Sequence, residues 1–336
     1  MSAPSAPRPS TGPAHARIIG VGGYRPSRVV TNQEIAPRID SDDAWIRERS
    51  GITERRWATE QETVALMGAA AAEKALAHAG VTADRIGCVL VATSTHFRQL
   101  PALAADIAHR IGTEQAAAFD LSAACAGFTH ALAVAHDLVR GGSAGHVLVV
   151  ATERMSDLID HDDRATAFLF GDGAGAVVVG PSDTPASGPV VWGSDGARSA
   201  AIDQSASWLE LRHATPSRFP ALTMQGQTVF RWAVHEMAHV ARQALDEADL
   251  DAAELDAFIP HQANLRIVDA LATALRLPAH VAVARDIVHT GNTSAASIPL
   301  AIEHLLTRGD VRSGGLALTI GFGAGLSYAA QVITLP

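Results

Sequence analysis

The sequence predicts a layered α/β fold built from two like halves. Short apolar runs alternate with helical patterns from residue 17 onward, the signature of helices packed on sheets. Similar turn motifs recur in both halves in the same order. The 336 residues, 48% hydrophobic and 18% charged, can bury one large core or two ordinary ones.

Residues 1–16, MSAPSAPRPSTGPAHA, are rich in Pro, Ser and Ala without a continuous apolar segment, so they read as a flexible tail rather than a signal peptide. Strands are expected at RIIGVGGY (17–24), CVLVATST (88–95), HVLVVATERM (146–155) and GAVVVG (175–180). Helical spacing marks 63–79 and 101–111, then 227–247, 264–275 and 298–307. The Pro, Ser and Gly of GPSDTPASGP (180–189) mark a junction, giving halves of 17–183 and 184–336.

No run is long enough to span a membrane, so the chain is expected to be cytoplasmic with no membrane partner. A net charge of −9 argues against nucleic acid, which needs a concentrated basic face. Of the two cysteines, Cys88 lies in a strand-like run and reads as a small buried hydrophobe; no disulfide framework is implied.

The repeat directs attention to particular turns. VLVATSTH (89–96) precedes AFDLSAACAGF (118–128) much as AFIPHQAN (257–264) precedes ARDIVHTGNTSAAS (284–297). DGAGAVVV (172–179) likewise echoes GFGAGLSYAAQV (321–332), each expected to be a glycine turn feeding a strand.

Cys125 sits among Ala123, Ala124, Ala126 and Gly127, where small side chains leave room for an approaching group. Phe128, Leu132, Ala135 and Leu138 then follow a helical period that ends at Arg140, Gly141 and Gly142. A helix start favours an anion, so the expectation is a lowered thiol pKa. A packed structural cysteine fits the same facts. A nucleophilic cysteine generally needs an imidazole. His261 ends an apolar strand, at the turn equivalent to TSTH, and Asn292 occupies the turn that mirrors Cys125.

At these residues the sequence resembles a known family. AACAGF, PHQANLRI and GNTSAAS resemble the three active-site motifs of β-ketoacyl-acyl carrier protein synthase III, with DDAWIRERSGITERR (42–56), FLFGDGAGA (168–176) and GFGAG (321–325) extending the match to the C-terminus. Within that type the chain also resembles the priming ketosynthases of aromatic polyketide pathways. The resemblance implies a thiolase fold, two α/β halves in a five-layer αβαβα arrangement. It also implies an acyltransferase that starts fatty-acid or polyketide chains by decarboxylative Claisen condensation of an acyl-CoA primer with malonyl-acyl carrier protein.

The resemblance further implies a role for each matched residue. Cys125 carries the acyl thioester, its oxyanion held by the backbone N–H groups of Cys125 and Ala324, where a commoner pattern has glycine. Neutral His261 and Asn292 donate to the enolate left by decarboxylation, so no metal and no cofactor are needed. Trp45, Arg49 and Arg164 match positions that hold CoA; Phe230 lines the pantetheine tunnel and Asn264 contacts the arm. Arg231 and Arg266 face the acyl carrier protein. The family is a homodimer in which Leu100, before Pro101, reaches the partner's acyl pocket, and its aliphatic side chain points to longer or branched primers.

Rival readings use the same residues differently. A relative of this fold transfers the acyl group to a hydroxyl or amine without decarboxylation. A cysteine hydrolase also uses Cys, His and Asn, but lacks a duplicated α/β pattern. HEMAH (235–239) matches the H-E-x-x-H pattern of zinc hydrolases. Arg242 and Leu245 stand where its extended form needs Gly and His, while spacing leaves Glu254 open as a further ligand.

Overall fold

The computed structural model describes residues 10–113, 115–213 and 219–336. Five strands form the first main sheet: β1 (His15–Tyr24), β2 (Cys88–Ala92), β3 (Ala117–Leu121), β4 (Val147–Arg154) and β5 (Asp172–Ser182). Five form the second: β6 (Val191–Gly193), β7 (Ala257–Pro260), β8 (Ala282–Val283), β9 (Leu316–Gly323) and β10 (Ser327–Thr334). The first sheet is ordered β1-β5-β4-β2-β3 and the second β6-β10-β9-β7-β8. Numbered within its own half, each sheet therefore runs first, fifth, fourth, second, third. Pair directions repeat as well: antiparallel, antiparallel, parallel, parallel. The duplication suspected from short motifs is a duplication of topology.

The helices that matter are α1 (Asp43–Ser50), α2 (Val64–Ala79), α3 (Leu103–Ile111), α4 (Gly127–Arg140), α5 (Gly226–Glu247), α6 (Leu265–Ala274) and α7 (Ser297–Arg308). Alternate residues of a strand face opposite sides of its sheet. In β2, Val89 and Val91 pack with α2 and α3, whereas Cys88, Leu90 and Ala92 pack with α4 and α7. That second core also takes Ala257, Ile259 and Ala317 from the other sheet, so α4 and α7 form a shared middle layer. The far face of the second sheet, with Phe258, Leu318 and Ile320, is covered by α5 and α6. The result is five layers, αβαβα.

Local chemistry explains the elements. Helix α2 is an alanine-rich run capped by Thr63, whose hydroxyl accepts from Leu66 N–H, and it stops at Gly80 with φ 63°. Its small face lets β1 press close: a Cβ on Gly22 would meet Ala71 O and Ala75 N. The glycines of DGAGAVVV were expected in a turn, but β5 already contains them. A Cβ on Gly175 would stand 2.7 Å from Pro299 Cγ, so they admit the middle-layer helix α7.

The tail expected over 1–16 does not extend to its last residues. His15 and Ala16 belong to β1, Ala16 is buried, and Ala14 O accepts from Arg140 Nε at 3.3 Å. Residues 1–9 of that expectation lie outside the described residues. Strand β5 ends at Ser182 and β6 begins at Val191, so the Pro/Ser/Gly stretch does connect the two sheets. No helix among the described residues is long and apolar enough to cross a membrane.

Candidate active site

Both middle-layer helices start from a tight turn of one kind. Residues 124–126 form a single 3-10 turn before α4, and residues 294–296 form one before α7. Each opens on a left-handed non-glycine residue, Ala124 at φ 47° and Ser294 at φ 51°. The two turns touch at the centre of the molecule. Residue for residue, the counterpart of Cys125 is therefore Ala295; Asn292 lies in the mirrored turn but three residues earlier.

His261 reaches the same place from the second sheet. Pro260 is tolerated in a central strand because β8 pairs only with Ala257 and Phe258, so the missing N–H breaks no ladder bond there. Gln262, fully buried, locks the following loop: its Nε2 donates to Pro260 O at 2.8 Å and its Oε1 accepts from Ile287 N–H at 3.2 Å.

One cavity of about 820 Å³ contains all three residues. His261 and Asn292 are 2% and 6% exposed and form its floor with Cys125, while the arginines 49, 164, 231 and 266 are exposed at its rim. A positive mouth on a chain of net charge −9 suits an anionic ligand. Trp45 packs there with Arg164 Cζ 4.8 Å and Arg49 Cζ 5.6 Å from its ring centroid, and Phe168 edge-on at 5.1 Å. Arg266 lies 5.2 Å over the Phe230 ring. Asn264 lines the cavity too, but its amide is engaged: Oδ1 caps α6 at Arg266 N–H, and Nδ2 donates to Arg49 O at 2.9 Å. Leu100 is 80% exposed and does not line the cavity of its own chain.

The floor is built from donors. Asn292 Oδ1 accepts from Ser294 N–H at 2.8 Å, which turns the Nδ2 amide into the end that can donate. His261 Nδ1 is 2.8 Å from Ser297 Oγ. That oxygen also accepts from Gln262 N–H at 3.3 Å, which leaves its own proton available to Nδ1; in that arrangement the imidazole hydrogen is on Nε2. Burial pushes the imidazole pKa down to about 3, so the ring is neutral at physiological pH. Both groups are thus N–H donors without charge.

The thiol departs from expectation. Burial, helped by the nearby Glu153 carboxylate, pushes the Cys125 pKa up to about 12. The direction is opposite to the lowering expected from a helix start, because burial disfavours the charged thiolate. Cys88 is buried and raised as well, to about 11, as befits a packing residue.

Cys125 and Ala324 each lie in the first turn of a 3-10 segment, where backbone N–H groups have no intrahelical partner. The two backbones touch: a Cβ on Gly323 would stand 2.8 Å from Cys125 Cβ, so glycine is required there. Ala324 is outside the left-handed region, whereas Gly325 takes φ 72°, so the methyl of Ala324 costs no backbone strain.

Glu153, Ser294 and Ser297 were not singled out from the sequence. The available signal was a glutamate placed soon after the apolar run VLVVA in the strand VLVVATER. The HEMAH motif is elsewhere, on the outer face of α5. Glu236 is held by Arg198 at 3.0 and 3.1 Å, His239 Nδ1 is 3.1 Å from Arg242, and no metal-holding group of three gathers among the described residues. GVGGY and GDGAGA serve helix-to-strand contacts; only GFGAG borders the site.

Comparison with known proteins identifies the family. The family model for 3-oxoacyl-[acyl-carrier-protein] synthase III matches residues 119–196, and its C-terminal model matches residues 245–335. The chain is 59% identical to a β-ketoacyl-[acyl-carrier-protein] synthase III of Streptomyces glaucescens over 98% of this chain and 99% of the relative. A Streptomyces coelicolor synthase III is 60% identical over the same shares. The crystal structure of the priming β-ketosynthase from the R1128 polyketide pathway superposes with a TM-score of 0.96 at 52% identity, covering 99% of each chain. With family models on both halves, relatives near 60% identical over almost the whole chain and a matching fold, the chain belongs to the β-ketoacyl-acyl carrier protein synthase III family, as an acyl-transferring condensing enzyme.

Proposed function

We propose that Cys125, His261 and Asn292 carry the condensation. The Cys125 sulfur attacks the carbonyl of an acyl-CoA, the carbon–sulfur bond to CoA breaks, and CoA leaves as the thiol. N–H groups of Cys125 and Ala324 receive the developing oxyanion. Malonyl-acyl carrier protein then loses carbon dioxide, and its enolate oxygen takes hydrogen bonds from His261 Nε2 and Asn292 Nδ2. The carbanion attacks the Cys125 thioester and releases a β-ketoacyl-carrier protein, the first extension of a fatty-acid or polyketide chain. No metal or cofactor enters.

The observation that carries this reading is the single cavity joining a positive rim to a floor of one thiol and two neutral N–H donors. Trp45, Arg49 and Arg164 suit the adenine and phosphates of CoA, and Arg231 and Arg266 suit an acidic carrier protein. We assign a homodimer, supported by the exposed edge strand β3 and by Leu100, which is free to enter a partner's acyl pocket.

Mass spectrometry after incubation with a panel of acyl-CoAs tests the assignment. The expected result is an acyl adduct on Cys125, absent in Cys125→Ala, converted by malonyl-carrier protein into carbon dioxide and a β-ketoacyl-carrier protein. Transfer of the adduct to an alcohol or amine without carbon dioxide would overturn it. His261→Ala and Asn292→Ala should each slow decarboxylation by roughly 10²–10³-fold, the cost of one preorganised donor. Carbon dioxide release from either variant at the wild-type rate would remove that residue from the mechanism.

A further inference from the structure

Glu153, one residue from the end of β4, is fully buried, and the condensation steps leave it unused. Most of its hydrogen bonds come from the loop that follows β2. Oε2 accepts from Thr95 Oγ1 at 2.7 Å, Ser94 N–H at 3.0 Å and Thr93 Oγ1 at 3.3 Å, and Oε1 accepts from Ser94 N–H at 3.2 Å. The two threonine hydroxyls are themselves braced by backbone, Thr95 Oγ1 accepting from Arg154 N–H at 2.9 Å and Thr93 Oγ1 from Thr95 N–H at 3.2 Å. One further bond crosses to the second half of the chain: Ser294 Oγ donates to Oε1 at 3.0 Å. A carboxylate is costly to bury unless donors fill its lone pairs, and hydrogen bonds to it are stronger than those between neutral groups.

Buried Ser294 takes φ 51°, and its N–H donates to Asn292 Oδ1 at 2.8 Å. Among the described residues that is the one hydrogen bond made by the Asn292 side chain. The Asn292 backbone is fixed separately, its N–H donating to Leu169 O at 2.8 Å and its carbonyl accepting from Gly171 N–H at 3.0 Å. The last torsion of an asparagine is broad and roughly two-fold, so an amide without that N–H can turn its oxygen, instead of its nitrogen, toward an anion. The left-handed turn by itself does not require the Ser294 hydroxyl, because its counterpart Ala124 takes φ 47° without one. What the hydroxyl adds is an anchor, which holds the Ser294 N–H against a carboxylate rooted in the first half.

We propose that Glu153 is a positioning residue for decarboxylation. Through the Ser294 hydroxyl it fixes the Ser294 N–H that holds Asn292 Oδ1, and so keeps Asn292 Nδ2 aimed at the enolate oxygen. The chain of contacts runs from a strand of the first half to an amide of the second, so the geometry of this donor depends on how the two halves sit together. No proton moves along it, and Glu153 touches no substrate.

The proposal rests on Asn292 as an enolate donor, and the experiment separates the two. Carbon dioxide release from malonyl-carrier protein is measured for Ser294→Ala and Glu153→Gln, each alone and combined with Asn292→Ala, beside acylation of Cys125 by acetyl-CoA. Each single variant should lower the kcat of decarboxylation by roughly 10–100-fold, the scale for misplacing a catalytic group, with KM within about threefold. The loss in acylation, which does not use the amide, should be smaller by at least about fivefold. Combined with Asn292→Ala, neither substitution should lower carbon dioxide release by more than about twofold further, because the group it positions is gone. Losses that multiply in the combined variants, or equal losses in both reactions, would overturn the proposal. Ser294→Ala releasing carbon dioxide at the wild-type rate would overturn it too, and this variant decides the matter where Glu153→Gln fails to fold, since Ala124 occupies the equivalent turn. Asn292→Ala alone at the wild-type rate would remove the donor itself, and its positioning with it.

Discussion

Cys125→Ala should lower condensation by roughly 10⁶-fold, the scale seen when other covalent nucleophiles are removed, while decarboxylation of malonyl-carrier protein falls by no more than about tenfold. The two reactions separate because they use different atoms of one floor. Condensation needs the sulfur to hold the acyl group. Decarboxylation needs donors for the enolate, and those belong to His261 and Asn292, which are held by Ser297 and Ser294 rather than by the thiol. Parallel assays of β-ketoacyl product and of carbon dioxide check this. Condensation within about a hundredfold of wild type would exclude Cys125 as nucleophile.

Arg55→Ala should destabilise the chain by about 3–5 kcal/mol, the range for leaving strong buried polar partners unsatisfied. Arg55 is fully buried, and burial lowers its pKa to about 10, so it remains charged at neutral pH. Its guanidinium donates to Val30 O at 3.2 Å and to Asn32 Oδ1 and Phe168 O at 2.8 Å each. Asn32 in turn donates to Asp43 Oδ1 at 2.7 Å and Ile52 O at 2.8 Å. The two-stranded sheet of Arg28–Thr31 with Glu54–Trp57 is thereby tied to α1 and to the 164–170 segment, the two pieces that present Trp45, Arg49 and Arg164. Removing the guanidinium orphans three acceptors and leaves a void. A urea unfolding midpoint checks the stability, and acyl-CoA KM should rise more than kcat falls. A loss below about 1 kcal/mol would mean that water replaces the guanidinium.

Much of this was legible in the sequence. Strand and helix positions followed from apolar periodicity, because a strand buried on both faces must be apolar throughout and a covering helix must be apolar on one face. Errors occurred where glycine has two uses. In DGAGAVVV the glycines make room for a helix against a strand rather than turning the chain, and composition does not distinguish close approach from a turn. The tail was overestimated because Ala-rich, Pro-rich residues look alike whether or not their backbone finds a partner; Ala14 finds Arg140.

The site divides in the same way. Cys125, His261 and Asn292 were visible as residue types at repeated turns, and the rim arginines as matches to a family. The sequence by itself determined the repeat, the turns and the reactive groups, since these depend on local pattern. Only the tertiary structure decided their chemical state. The Cys125 thiol is raised by burial where the turns of the two halves meet, His261 is neutral because it is buried against Ser297 and Phe322, and Glu153 is tied to Ser294, 141 residues away in sequence. Desolvation and hydrogen-bond direction are properties of three-dimensional surroundings, and those are assembled here from both halves of the chain.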